Sequence, residues 1–117
     1  MQDDLQRIRD MLKAISEIER LLGTRSLEQF AVDDKTFSPE SSSYFVVLGE
    51  AAAAVSRELR AKYPAIQWRR ISAMRNVLVH MYRQISVEIV WKTAKEDLPL
   101  LRKRLQQVLK AYASSAE

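Results

Sequence analysis

The stretch "DDLQRIRDMLKAISEIERLLG", residues 3–23, decides the fold. Leu5, Ile8, Met11, Leu12, Ile15, Ile18, Leu21 and Leu22 recur at the period that gathers apolar side chains on one face of an α-helix. Asp3 or Asp4 is placed to cap the start, and Gly23 stands where a helix end favours a left-handed residue. The spacing predicts a helix of about five turns.

Working outward, Ser26 and Gln29 lie at capping-box spacing and predict a short helical turn. A second long helix is expected from near Pro39, with Ser38 as its cap, or from as early as Asp34. Tyr44, Phe45, Leu48, Ala52, Val55 and Leu59 give it an apolar stripe. The small residues of "GEAAAAVS", 49–56, let a neighbouring helix approach closely. Pro64 breaks the pattern, and a third helix is expected from Trp68 to Tyr82. Ser86 is read as the cap of a fourth, beginning "VEIVW". Pro99 either kinks that helix or separates it from a last one, "LLRKRLQQVLKAY", and the tail 113–117 is expected to fray.

Two glycines and three prolines in 117 residues favour long helices over a turn-rich β fold. The expectation is therefore an all-α fold, an antiparallel bundle of four to five helices in a single domain, 1–117. With no cysteine, disulfides, thiolate chemistry and Cys-ligated zinc are excluded. One histidine and no cluster of ligands at metal-binding spacing argue against a metal site, and no cofactor is expected. The net charge is +4, with 19 Lys+Arg against 15 Asp+Glu, a modest excess that does not by itself establish nucleic-acid binding. No apolar run reaches membrane-spanning length and the N-terminus is unlike a secretory signal, so a cytoplasmic protein is expected.

Chemistry concentrates in "MRNVLVHMY", residues 74–82. Successive helix residues advance by about 100°, so Ile71, Met74, Leu78, Met81 and Ile85 share the natural core face. Asn76 and His80 share the opposite face, while Arg75 and Tyr82 follow the edge of the core stripe. A straight helix separates Arg75 from His80 by about 140°. A two-fold dimer offers one way to bring such groups round a common groove, since each contact then occurs twice. Arginine presents a planar fork of donors to phosphate oxygens, histidine moves protons near neutrality, and asparagine orients an imidazole or a substrate without adding charge. Together they suit metal-free RNA cleavage, in which the ribose 2′-hydroxyl attacks the adjacent phosphate. Residue chemistry alone favours the simpler alternative, a core helix with a structural or solvated polar face.

The same segment resembles the Arg–polar–x3–His signature of HEPN domains, at Arg75, Asn76 and His80. Extended to Tyr82, it is similar to the RX4HXY pattern of the HepT toxins of HepT–MNT toxin–antitoxin pairs. The similarity extends to "DDLQRIRDMLKAISEIE", "LGEAA", "YPAIQWRRISAMRN" and "ISVEIVWKTAKEDLPLLRKRL", nearly the whole chain. The resemblance implies an all-α HEPN bundle acting as a homodimer, with the motif helices lining an interfacial cleft. It implies a metal-independent ribonuclease toxin in which Arg75 and His80 are catalytic and Asn76 supports them. RNA is then the substrate. The implied partner is an MNT-type nucleotidyltransferase antitoxin, with which higher oligomers could form and which transfers AMP onto Tyr82. ATP and magnesium would belong to that partner. Glu50 and Arg83 are further candidates for the groove. Where family members carry a basic or amide residue and a glutamate before the Gly-Glu-Ala element, this chain has Ser43 and Val46. That departure keeps two alternatives in view: an inactive subunit that only binds the nucleotidyltransferase, and a structural HEPN interaction module.

Overall fold

The computed structural model describes residues 2–23, 39–73 and 92–116. They are all-α, and no strand occurs among the described residues.

The first helix, α1, runs Gln2–Leu22. Ile8, Met11, Ala14, Ile15, Ile18 and Leu22 are buried along one face, as the spacing predicts. Gly23 ends it with φ +54°, the left-handed cap expected there, and its N–H donates to the Glu19 carbonyl at 2.8 Å. The Lys95 ammonium donates to the Gly23 carbonyl at 2.6 Å, placing a cation at the negative end of the helix dipole.

The expected cap at Asp3 or Asp4 is corrected. α1 begins at Gln2, so both aspartates lie within its first turn, and Asp4 is turned inward, 7% exposed. Its carboxylate accepts the Ser56 N–H at 2.8 Å and the Ser56 hydroxyl at 2.6 Å. A buried carboxylate requires such donors, and here they come from Ser56, just past the end of the neighbouring helix.

That neighbour, α2, runs Pro39–Ala54 and starts on the expected proline. It packs against α1 through Phe45, Leu48, Ala51 and Ala52, all buried. The small residues allow the close approach anticipated from "GEAAAA". The helix does not continue to Leu59, however. It stops at Ala54, and a short helix α3, Arg57–Lys62, begins after Ser56. Ser56 has extended backbone, φ −61° and ψ 153°, and its hydroxyl oxygen accepts the Leu59 N–H at 3.2 Å. A side-chain cap of this kind starts a new helix. Val55 and Leu59 are still buried, so the apolar stripe survives although the helix carrying it is broken.

After α3 the chain turns at Tyr63–Pro64, as expected, with the Ile66 N–H returning to the Tyr63 carbonyl at 3.2 Å. Residues 68–73 are helical and form the described part of α4. The expected turn at Ser26–Gln29, the cap Ser38, the stretch of the third helix beyond residue 73 and the cap Ser86 lie outside the described residues.

The last segment is one helical path from residue 92 to 116. Thr93–Asp97 is a π-helical turn, and it opens directly into α5, Leu98–Ala116. Pro99 does not separate two helices. A proline here removes one N–H and crowds the carbonyl four residues earlier. The wide turn bypasses that conflict: the Leu98 N–H reaches back to the Thr93 carbonyl, one residue further than in an α-helix. Ala94, Leu98, Leu101, Leu105 and Val108 complete the core against α1 and α2. Arg102 pairs with Glu19 of α1 at 2.6 Å, a charge contact without hydrogen-bond alignment.

Candidate functional site

Arg75, Asn76, His80, Tyr82 and Arg83 lie outside the described residues, whereas Glu50 and the chain leading up to the motif lie within them. The approach is firmly built. Trp68, 6% exposed, opens α4 and donates its indole N–H to the Tyr63 carbonyl at 3.1 Å. That carbonyl also receives the Ile66 N–H, so one oxygen anchors both the turn and the first residue of the helix. Ile71, one turn on, is buried on the expected core face. Arg104 of α5 reaches across to donate to the Ala65 carbonyl at 2.8 Å, tying the turn to the last helix. Trp68, Ile71 and these bonds fix the described start of α4, residues 68–73, against the core.

Between the turn, α4 and α5 lies a cleft of about 250 Å³, walled by Leu48, Ile66, Ile71, Leu98 and Leu101. Arg70 and Arg104 edge it, with Thr93 and Asp97 from the π turn. Arg70 donates to the Gln67 side chain at 3.3 Å and stands 3.9 Å from the Asp97 carboxylate. Such an exposed pair contributes little to stability.

On the outer side, the turn and the starts of α3 and α4 enclose a wider groove of about 960 Å³. Four arginines line it: Arg57 and Arg60 from α3, and Arg69 and Arg70 from α4. The groove extends to Ala73, two residues before Arg75 in the chain. The four were not singled out among the sequence candidates. Their signal was present in "RELR" and "WRR", but the turn at Pro64 is what places the two pairs side by side.

Glu50 sits exposed on α2, and Ser43, one of the two departures, is also exposed. Val46, the other, is half-buried and packs against the core. An apolar side chain there supports packing in place of a charge. No helix among the described residues is long and apolar enough to cross a membrane.

Comparison with known proteins places this architecture. A relative from Thermococcus cleftensis, named "Probable ribonuclease HepT", is 31% identical over 103 residues, covering 88% of this chain and 93% of its own. A protein of Methanocaldococcus jannaschii named "Putative RNase MJ1216" is 28% identical over 101 residues, 86% of this chain and 83% of its own. One from Caldanaerobacter subterraneus, "Putative RNase TTE0752", is 32% identical over 92 residues, 79% of this chain and 80% of its own. No solved structure gives a significant match. The family model described as "Ribonuclease HepT-like" matches residues 11–108, from the first core face of α1 to the last core valine of α5. The chain therefore belongs to the HepT-like ribonuclease family.

Proposed function

We propose that this chain is a metal-independent endoribonuclease, the toxin of a toxin–antitoxin pair acting in the cytoplasm. The observation that carries the reading is the family match over 11–108, which spans the whole Arg75–Asn76–x3–His80–x–Tyr82 motif. RNA is the substrate in this account, and the chemistry follows from the residues. His80 moves a proton as the 2′-oxygen bonds to the neighbouring phosphorus and the P–O5′ bond breaks. The 2′-hydroxyl loses a proton and the departing 5′-oxygen gains one, leaving a 2′,3′-cyclic phosphate and a 5′-hydroxyl. Arg75 holds the phosphate oxygens and offsets the charge that develops on them. Asn76 orients the imidazole or the substrate. DNA lacks the attacking hydroxyl and is spared.

The motif cleft is shared between two subunits in this reading, with Glu50 and Arg83 at its border. Exposure of Glu50 on α2 is compatible with that place. The antitoxin is an MNT-type nucleotidyltransferase that transfers AMP to Tyr82. A bulky anionic adduct two residues after His80 would compete with RNA phosphate for Arg75 and obstruct the groove. A second reading, an inactive subunit that only binds the nucleotidyltransferase, is favoured by Ser43 and Val46, which supply no charge where family members often do.

Incubation of the purified chain with RNA in the presence of a chelator separates the two. Cleavage with a 2′,3′-cyclic phosphate end supports the enzyme, and intact RNA under all conditions supports the binding subunit. Incubation with the nucleotidyltransferase and ATP should add the mass of AMP, and Tyr82→Phe should abolish the addition.

A further inference from the structure

The open groove on the outer side of the Pro64 turn has no part in the chemistry assigned to the motif. We propose that it is a second nucleic-acid contact surface, which holds the backbone phosphates of single-stranded RNA flanking the scissile bond. The inference rests on the ribonuclease reading for the identity of its ligand.

Three observations converge on it. First, four guanidinium groups, those of Arg57, Arg60, Arg69 and Arg70, line one groove of about 960 Å³. Among the described residues only Arg70 has a carboxylate within ion-pair distance, Asp97 at 3.9 Å. The Arg57 and Arg69 side chains are exposed and make no ion pair or side-chain hydrogen bond with the described residues. Like charges gathered in one groove with a single ion-pair partner among the described residues repel one another. An anionic ligand relieves that repulsion, and arginine's planar fork suits phosphate oxygens.

Second, Arg60 is half-buried, and its Nε is enclosed without a hydrogen-bond partner. An unsatisfied buried donor costs stability, and Arg60 stands in the groove beside three other arginines.

Third, the groove runs to Ala73, and Arg75 follows two residues later. Two residues of chain span at most about 7 Å, so along the chain the groove ends close to Arg75. The width and openness suit an extended backbone. Trp68, the aromatic of the groove, is buried with its indole N–H engaged, so bases do not stack on it. Recognition here is therefore of phosphate and independent of sequence.

The test compares Arg57→Gln/Arg69→Gln with Lys103→Gln/Lys110→Gln. The second pair removes the same charge from exposed positions on α5 outside the groove. Binding of a fluorescent single-stranded RNA of about twenty nucleotides, longer than one site, is followed across a salt series on the full chain. His80→Ala is present throughout so that the RNA survives, and cleavage is followed separately with His80 intact. The double arginine variant is expected to bind about tenfold more weakly, with a salt slope shallower by about 1.4 for two lost phosphate contacts. The lysine pair should move affinity by no more than about twofold. Cleavage by the double arginine variant should show a raised KM for this RNA with kcat little changed. Tight RNA binding through the groove without any cleavage leaves this inference standing and overturns the ribonuclease reading. Unchanged affinity and salt slope in the arginine variant overturn the inference while cleavage by the wild type upholds that reading. Loss of nucleotidyltransferase binding with RNA binding unchanged also overturns it, and assigns the surface to a protein partner.

Discussion

Asp4 and Ser56, 52 residues apart, are joined by two hydrogen bonds, to the Ser56 N–H at 2.8 Å and to its hydroxyl at 2.6 Å. Ser56 in turn caps α3 by accepting the Leu59 N–H. One carboxylate on α1 therefore fixes where α2 stops and α3 starts, and so where the Pro64 turn and α4 are directed. Asp4→Ala leaves buried donors unpaired and should destabilise the chain by about 1–3 kcal/mol. Ser56→Ala should cost about 0.5–2 kcal/mol through the lost cap. Because the two act through one another, urea denaturation of the double variant should show a loss smaller than the sum. Additive losses would show that the pair is not coupled.

The same pair makes stability depend on pH. Burial raises the Asp4 pKa, but the side-chain and backbone hydrogen bonds from Ser56 outweigh it and hold the group below its ordinary value of 3.8. A carboxylate with a depressed folded-state pKa contributes stability that is complete above the unfolded value and lost as pH falls through the folded one. The stability difference between wild type and Asp4→Asn should be constant near neutrality and shrink below about pH 3.8. A difference that stays constant into strong acid would contradict this assignment.

Gly23 ends α1 with φ +54°, and a Cβ there would meet nothing nearer than the Arg20 carbonyl oxygen at 3.9 Å. Space is available, so the cost of a side chain is conformational. Gly23→Ala should lose about 1–2 kcal/mol in urea denaturation, and Gly23→Asn less, since asparagine tolerates the left-handed region. Equal losses for the two would point to crowding as the cause.

Leu105 of α5 is fully buried and packs in the core shared with α1 and α2, whereas Leu100 on the same helix is 49% exposed. Leu105→Ala should cost about 2–5 kcal/mol, and Leu100→Ala under about 0.5 kcal/mol. Chemical denaturation of the two variants checks the face that α5 presents to the bundle.

Much of the fold was legible because α1 carries its evidence locally: an uninterrupted apolar period and a glycine at its end. The break at Ser56 was not. Leu59 keeps phase with Leu48, Ala52 and Val55, so periodicity reads straight through a cap whose partner lies on another helix. Asp4 was misread for the same reason, since its donors are 52 residues away. The π turn escaped because only its consequence, Pro99 within a helical pattern, shows in sequence. Of the candidate site, the family was legible through the motif's resemblance and not through its spacing, which on a straight helix would leave Arg75 and His80 far apart. Of the four-arginine groove only the two separate pairs show in sequence, because a turn in space is what brings them together.

The central claim is that this member of the family cuts RNA with Arg75 and His80 and needs no metal. The most direct measurement is cleavage of a single-stranded RNA by the purified chain in excess chelator, beside Arg75→Ala and His80→Ala at matched folding. The wild type should cleave and leave a 2′,3′-cyclic phosphate, with each variant slower by about 10²-fold or more. Equal cleavage by all three proteins, or cleavage that vanishes with the chelator, would contradict the account.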